Sequence, residues 1–213
     1  MTLPRMLVIA KAPVAGLSKT RLCPPCSPGQ AAELAEAALA DTLDAVAKTD
    51  CAERILVLEG TPGDWLPEGF RVVPQVGGGL GDRLAGAFAA VDGPAFLIGM
   101  DTPQVDSRLL SESLDTLEKT EDQAVLGFSD DGGYWAIGFK RPVAGAFEHV
   151  PMSTDRTGQA QLERLDQLGV SVNQLPVMRD VDFFEDARQV ALQCPGGRFA
   201  RAFREMESSL CPG

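Results

Sequence analysis

Histidine and tyrosine are nearly absent from this chain, which has one of each, His149 and Tyr134, among 213 residues. A zinc site built from several histidines is therefore excluded, because zinc sites combine three or four His, Cys or acidic ligands. A Ser-His-Asp triad would have to use His149. This histidine lies near Pro151 in a predicted loop, so we interpret it as a surface residue.

Long apolar runs are missing as well, since the longest, at 6–10 and 95–100, have the length of a strand. A membrane-spanning helix needs roughly 20 apolar residues, and the N-terminus does not resemble a signal peptide. The composition, 45% hydrophobic and 23% charged, is typical of soluble globular proteins. We therefore expect a cytoplasmic protein without membrane contact, in which residues 1–213 form one domain.

Positive charge is scarce, because 19 Lys and Arg residues stand against 30 Asp and Glu residues and give a net charge of −11. Nucleic-acid binding is disfavoured, since it requires a basic surface. A smaller polyanion such as a nucleotide would need locally clustered cations or a metal ion.

The five cysteines, at 23, 26, 51, 194 and 211, are an odd number that does not suggest a disulfide framework. Cys23-Pro-Pro-Cys26 has motif spacing and precedes a predicted helix, whose N-terminus could lower a thiol pKa as in redox sites. The alternative is a loop that happens to hold two thiols. We favour the loop, because no second cysteine pair completes a zinc site.

Strand and helix patterns alternate from end to end, without an internal repeat. Strands are predicted at 5–10, 54–59, 70–76, 95–99, 123–128, 134–139 and 170–175. Helices are predicted at 28–48, 80–91 and 158–168, with one more that begins at 106 and two short ones after 182. This alternation predicts a three-layer αβα fold with a mostly parallel sheet. The segment 123–139 has the chemistry of an antiparallel hairpin. In such sheets ligands bind at the carboxyl ends of the strands.

The loop after the first strand concentrates cations in an acidic chain. Lys11, Lys19 and Arg21 lie there with Pro13 and Gly16. Turn residues, a lysine point charge and a two-pronged arginine are the parts that phosphate recognition uses. The loop is not a Walker motif, because two residues separate Gly16 from Lys19. A solvated loop is the alternative.

Three aspartates follow predicted strands. Asp101 comes directly after the apolar strand at 95–99 and is placed to bind Mg²⁺, which prefers oxygen ligands. Asp180 and Asp182 are two residues apart, so in extended chain both carboxylates face one side. The alternatives are a turn aspartate at 101 and a capping box of Asp182 with Glu185.

Two glycine-rich turns complete the candidate site. The run 77–81 lies between a strand and a helix, but it lacks the third glycine of the dinucleotide fingerprint. Adjacent glycines at 132–133 form a hairpin turn or let the backbone approach a ligand. The predicted nucleotide-binding residues at these turns are Gln75, Gly78, Leu80, Arg83, Asp131, Gly132, Gly133 and Tyr134.

Four motifs occur in an order that resembles a bacterial family. They are Lys11-x-Pro13-x-x-Gly16-x-x-Lys19-Thr20-Arg21-Leu22, Gly99-x-Asp101-Thr102-Pro103, Asp131-Gly132-Gly133-Tyr134-Trp135 and Arg179-Asp180-Val181-Asp182. Together they resemble an uncharacterised family usually labelled glycosyltransferase, with the nucleotide-diphospho-sugar transferase (GT-A) fold. The Lys-Thr-Arg-Leu loop and the late Asp-x-Asp are similar to those of 2-phospholactate guanylyltransferase, a nucleotidyltransferase.

The chain departs from this family at three places. Relatives often have Asp-Thr-Pro-Glu-Asp at 182–186, where this chain has Asp-Phe-Phe-Glu-Asp. They often have Asp at the position of Gly79 and Trp at the position of Met152. The last two positions are expected to touch the acceptor or nucleotide pocket, so the departures concern substrate identity.

The resemblance implies an Mg²⁺-dependent (or Mn²⁺-dependent) nucleotidyltransferase, in which an acceptor phosphate or carboxylate attacks the α-phosphorus of a nucleoside triphosphate. Lys11, Lys19 and Arg21 would bind the triphosphate. Asp101 and Asp182, with Asp180, would hold the metal; Lys19, Arg21 and Asp101 are the catalytic candidates. One alternative is a glycosyltransferase using a nucleotide-diphospho-sugar, with Asp131 or Asp130 as base. A second is a non-catalytic nucleotide-binding module.

Overall fold

A computed structural model describes residues 3–210, so Cys211 lies outside the described part of the chain. The strands are β1 (Arg5–Lys11), β2 (Arg54–Glu59), β3 (Phe70–Pro74), β4 (Ala95–Ile98), β5 (Ala124–Ser129), β6 (Tyr134–Phe139) and β7 (Val172–Met178). They form a sheet in the order β3-β2-β1-β4-β6-β5-β7. Strand β6 runs antiparallel to β4 and β5, whereas the other neighbouring pairs are parallel. The predicted mostly parallel sheet with an antiparallel hairpin is confirmed.

Helices connect the strands and cover the sheet. They are α1 (Pro28–Ala47), α2 (Leu80–Ala89), α3 (Ser107–Lys119), α4 (Thr157–Gln167), α5 (Phe184–Gln193) and α6 (Arg198–Leu210), with a single 3-10 turn at Thr20–Leu22. Where the sequence analysis gives a helix boundary, the observed boundary lies within about two residues of it, and the two helices predicted after residue 182 are present. No helix in the described residues has both the length and the apolar character needed to cross a membrane.

The core lies on both faces of the sheet. In β1, Met6 and Val8 point to the face covered by α1 and α3, whereas Leu7 points to the face covered by α2 and α4. All three side chains are fully buried. Burial on both faces is what parallel strands with helices on either side require, and it makes the central strands a rigid base for the loops at their ends.

A third apolar cluster joins the C-terminal helices to α1 and reaches the site. Phe199 and Phe203 of α6 pack with Leu34 of α1, and Val181, which follows β7, is buried in the same cluster with Leu22. The segment 180–182 and the turn at 20–22 are therefore held in place by packing into the same apolar cluster.

Helix capping agrees with the sequence at α1 and differs at α5. Ser27 and Gln30 form the predicted capping box, with Ser27 N–H donating to Gln30 Oε1 at 2.8 Å. The capping box predicted for Asp182 is wrong, because α5 is capped one residue later, where Phe183 N–H donates to Asp186 Oδ2 at 2.8 Å. The carboxylate of Asp182 pairs with Arg21 instead.

The thiols do not form an activated pair. Cys23, Cys26, Cys51 and Cys194 are all free. Burial, and then the neighbouring Cys23, raises the pKa of the Cys26 thiol, whereas redox-active cysteines have a lowered pKa. The structure thus favours the simple loop over the redox motif.

Candidate active site

A cleft of about 680 Å³ opens at the carboxyl ends of β1, β4 and β7. It is lined by most of the residues predicted for the site, namely Lys11, Lys19, Arg21, Gln75, Leu80, Arg83, Asp101, Asp131, Gly133, Tyr134, Asp180 and Asp182. The lining does not include the predicted Pro13, Gly16, Gly78 and Gly132. The position at the strand ends is the one expected for an open α/β sheet.

Lys19 and Asp101 join three segments that are far apart in the sequence. The Lys19 ammonium lies 2.6 Å from Asp101 Oδ1 and also donates to the carbonyl of Val181. In turn, Val181 N–H donates to the carbonyl of Asp101 at 2.9 Å. The Lys19 side chain is only 10% exposed, whereas the Asp101 side chain is 42% exposed and remains open to the cleft.

Lys19 also has an unusual backbone. Its φ of 48° and ψ of 40° place it in the left-handed region, which residues other than glycine, Asn and Asp seldom adopt. Such conformations are retained where surrounding contacts enforce them, and they concentrate at functional sites. In this conformation the ammonium contacts Asp101 and does not extend into solvent.

Asp180 supplies a second carboxylate beside Asp101. It accepts a hydrogen bond from the Ser129 hydroxyl at the end of β5, at 3.0 Å. Burial, followed by the charges of Asp101 and Asp131, raises the pKa of Asp180 to about 7. Asp101, Asp131 and Asp180 together carry more negative charge than Lys19 alone offsets. A bound cation would therefore stabilise these carboxylates.

Asp182 does not join Asp101 and Asp180. Its Oδ2 lies 2.8 Å from the guanidinium of Arg21. Within residues 3–210, no group of three or more His, Cys, Asp or Glu side chains is arranged to hold a metal ion. The three predicted carboxylates therefore do not form a cluster of metal ligands in this structure, and Asp182 pairs with Arg21.

The cations at the β1 end of the cleft share one carboxylate that the sequence analysis missed. Glu59, the last residue of β2, pairs with Lys11 at 3.3 Å and with Arg83. Gln75 accepts from Arg83 at 3.2 Å and donates to the carbonyls of Ala10 and Val57. Glu59 lies at the carboxyl end of a buried strand, and Asp101 lies shortly after the end of another, so position relative to a strand end could have indicated Glu59.

The glycines at 132–133 serve close packing of the backbone. A Cβ on Gly132, whose φ is +91°, would lie 1.9 Å from the carbonyl oxygen of Asp155. The carbonyl of Gly132 accepts from Gly158 N–H at 2.8 Å. The turn is therefore pressed against the segment that leads into α4, and it holds Asp131 and Gly133 at the cleft wall.

Tyr134 lines the cleft, while its hydroxyl has a partner within the protein. The hydroxyl donates to Gln161 Oε1 at 3.3 Å, and Gln161 donates to the carbonyl of Ala146 at 2.7 Å. Burial raises the pKa of the Tyr134 phenol, so this group stays protonated near neutral pH. Its contribution is to the shape of the wall.

Two parts of the lining were not singled out as site residues from composition or spacing. One is the segment 153–155 with Thr157, whose hydroxyl donates to the carbonyl of Pro151 at 2.8 Å. The other is the apolar pair Leu17 and Phe183. The Ser and Thr residues before α4 could have indicated the segment 153–155 only weakly. Exposed apolar residues such as Leu17 and Phe183 follow no periodic pattern, so the sequence did not indicate them.

Comparison with solved structures shows the fold. A protein from Desulfovibrio desulfuricans G20, whose description as a nucleotide-diphospho-sugar transferase is itself provisional, is 24% identical, with 99% of this chain and 97% of that chain covered and a TM-score of 0.86. A manganese complex of a Mycobacterium tuberculosis H37Rv protein is 23% identical, with 89% and 97% covered and a TM-score of 0.55.

A third structure, CMP:2-keto-3-deoxy-manno-octonic acid synthetase complexed with CTP, is 12% identical, with 90% of this chain and 99% of that chain covered and a TM-score of 0.58. These likenesses confirm the predicted nucleotide-diphospho-sugar transferase fold. No curated protein sequence matched the chain. The family model described as "Uncharacterized protein conserved in bacteria (DUF2064)" matches residues 42–154, more than half of the chain, and the chain belongs to this family.

Proposed function

We propose that this protein is a divalent-metal-dependent nucleotidyltransferase, which transfers a nucleotidyl group from a nucleoside triphosphate to a small phosphorylated or carboxylate acceptor and releases pyrophosphate. The observation that carries the proposal is the junction of Lys19, Asp101 and Val181 at the strand ends. The CTP complex of a protein with the same fold supports a nucleotide substrate, and the manganese complex of another supports a divalent cation.

The charge of the cleft supports a requirement for metal. Its lining contains the cations Lys11, Lys19, Arg21 and Arg83 and the acids Asp101, Asp131, Asp155, Asp180 and Asp182. Each cation pairs with a carboxylate, and Lys11 and Arg83 share Glu59. A triphosphate would therefore enter a lining with more acids than cations, which disfavours its binding unless a metal ion accompanies it.

Asp101 and Asp180 fit the chemistry of Mg²⁺ or Mn²⁺. Mg²⁺ is commonly bound through one or two carboxylates together with substrate phosphates and water, so two carboxylates suffice. Burial and then the charge of Asp101 raise the pKa of Asp180, and a bound cation would balance that charge. When bound, the ion supplies neutralisation of phosphate charge and orientation of the substrate.

The residues of the chain position the reactants. Lys11 and Lys19 bind triphosphate oxygens, and Arg21 at the rim stabilises the charge that develops between acceptor and phosphate. An acceptor oxygen forms a bond to the α-phosphorus while the bond to the bridging oxygen breaks, and its electron pair leaves with pyrophosphate. Because the acceptor is already ionised, no general base is needed, which agrees with a cleft that has no histidine in its lining.

The first test is thermal melting with each of the four nucleoside triphosphates, in Mg²⁺, in Mn²⁺ and in EDTA. We expect one nucleotide to raise the melting temperature only when the metal is present. Asp101→Asn should abolish this shift, because it removes a metal ligand. Asp115→Asn is the matched control, since Asp115 lies on the exposed face of α3 and pairs only with Lys119.

Retained metal-dependent nucleotide binding in Asp101→Asn would contradict the assignment. Turnover is then measured as pyrophosphate released with a panel of phosphorylated and carboxylate acceptors. A second candidate is glycosyl transfer, because the wall carries a carboxylate, Asp131, that could serve as base for a hydroxyl acceptor. Release of a nucleoside diphosphate from a nucleotide-sugar, without pyrophosphate, would favour that reaction.

A further inference from the structure

Phe183 is an aromatic residue where local chemistry favours a small polar one. It occupies the N-cap of α5, a position at which Ser, Thr, Asp or Asn normally caps the helix. Its side chain makes no capping bond, and the residue is 57% exposed while lining the cleft. Residues that depart from local preferences are expected at functional sites.

A second large apolar side chain lines the same cleft. Leu17, in the loop after β1, is 78% exposed. Single exposed apolar residues need no explanation, but here two flank one cleft, and both belong to segments that also supply charged residues of the site. The cleft lining therefore contains two exposed apolar side chains, Leu17 and Phe183, which we call the apolar strip.

Arg21 lies directly beside this strip. Its guanidinium carbon is 5.7 Å from the centroid of the Phe183 ring, and one nitrogen is 2.8 Å from Asp182 Oδ2. The side chain remains 61% exposed, so further donors of its fork are available to a ligand. An arginine fork next to an aromatic face suits a molecule that carries an anionic group beside a flat apolar group.

Within this strip, Phe183 belongs to a segment that lies away from the end of the cleft that holds Gln75 and Arg83. Gln75 is bonded to the carbonyls of Ala10 in β1 and Val57 in β2. The segment 180–183 is instead tied to Ser129 of β5 and to Asp101, which follows β4. Since β2 and β5 lie on opposite sides of β4 in the sheet, the two sets of residues contact different parts of a bound pair of substrates.

We propose that Leu17 and Phe183 form the acceptor subsite, and that the acceptor is an anionic compound whose flat apolar portion stacks on Phe183 while its anionic group contacts Arg21. This inference rests on the proposed function, because it assumes that the nucleotide binds at the end of the cleft with Gln75 and Arg83 and that the acceptor binds beside Phe183. It narrows the acceptor from small anions in general to aryl or similarly flat phosphates and carboxylates.

The experiment compares phenyl phosphate with methyl phosphate, which have the same charged group. Binding of each to the full chain is titrated by ligand-observed NMR. We expect phenyl phosphate to bind about tenfold more tightly, the gain from burying part of an aromatic ring. In Phe183→Thr this preference should fall to below about threefold while methyl phosphate binds as before. Arg21→Gln should weaken both esters alike.

Leu192→Thr is the matched control, because Leu192 is another exposed apolar residue of α5 that does not line the cleft. It should keep the full preference. Equal preference in wild type and Phe183→Thr would overturn the proposal, as would absence of binding by either ester. Displacement of phenyl phosphate by adenosine, guanosine, cytidine or uridine would also overturn it, because the strip would then be a base site.

The subsite and the proposed function can fail separately. A preference that depends on Phe183, in a protein that binds no nucleotide, would leave the subsite in place and remove nucleotidyl transfer. Pyrophosphate release with acceptors that lack a flat apolar group, together with equal binding of the two esters, would remove the subsite and leave nucleotidyl transfer.

Discussion

Among single residues, Lys19 has two opposing effects on the site. Its ammonium contacts Asp101. A metal ion bound to the Asp101 carboxylate would therefore lie close to the positive charge of Lys19. Like charges at this distance repel each other. Under the proposed function, the same ammonium would attract a triphosphate. Lys19 would then lower metal affinity and raise nucleotide affinity.

Replacing Lys19 should separate these two effects. In Lys19→Ala we expect Mn²⁺ to bind the nucleotide-free protein about fivefold more tightly, because a repulsion worth about 1 kcal/mol is removed. Triphosphate affinity should fall, while nucleoside affinity is kept. Mn²⁺ binding is measured by electron paramagnetic resonance, and Lys119→Ala, which removes an exposed lysine of α3, is the control. Weaker Mn²⁺ binding in Lys19→Ala would contradict this account.

Two glycines with positive φ offer a matched pair for the packing at the cleft wall. Gly132 would place a Cβ 1.9 Å from a backbone oxygen, whereas Gly16, with φ of +81°, has no atom within 4 Å of the added Cβ. Gly16→Ala should cost about 1 kcal/mol of unfolding free energy from backbone strain alone. Gly132→Ala should cost about 3 kcal/mol or more, since the backbone must also move. Urea denaturation measures the unfolding free energy of both variants. Equal losses would show that the backbone at Asp155 moves away from the added Cβ without a further cost in stability.

At the scale of elements, the start of α1 connects the cation loop to the core. The capping box of Ser27 and Gln30 satisfies backbone N–H groups at this helix end. Ser27→Ala should lower the unfolding free energy by about 1 kcal/mol, or about 2 to 4 °C in melting temperature. Ser111→Ala, at an exposed site inside α3, is the control and should change it little. A drop of the same size in both variants would argue against the capping contribution.

The elements themselves were predictable to within a few residues, because their apolar spacing and turn chemistry are local. The hairpin of β5 and β6 follows from the run at 129–133, and α1 follows from its capping box. Asp182 was the exception. Its local pattern suits a cap, but Arg21, 161 positions away in the sequence, forms an ion pair with it and the cap shifts to Phe183. Long-range contacts of this kind leave no local pattern.

For the whole molecule, the net charge of −11 makes stability depend on salt. Self-repulsion opposes the compact state, and raising NaCl from about 20 to about 200 mM screens it. We expect a rise in melting temperature of about 2 to 4 °C, which corresponds to about 1 kcal/mol in a chain of this length. MgCl₂ at the same ionic strength should add a further rise in wild type.

The further rise with Mg²⁺ depends on the site, so Asp101→Asn should respond equally to the two salts. The same variant shows whether screening or specific binding dominates. An equal extra rise with MgCl₂ in Asp101→Asn and in wild type would mean that the cation acts elsewhere on the acidic surface.

The sequence by itself determined the αβα class, the order of the elements and the end of the sheet at which the site lies, since each follows from local periodicity and from the position of loops after strands. It also predicted one site for Lys19, Asp101, Asp180 and Asp182, and these four residues line one cleft. Only the tertiary structure decided which charges pair: Asp101 with Lys19, Asp182 with Arg21, and Glu59 with Lys11 and Arg83. Ion pairing depends on distances between segments remote in sequence, and the shared packing of Val181 and Leu22 brings the segments of Asp182 and Arg21 together.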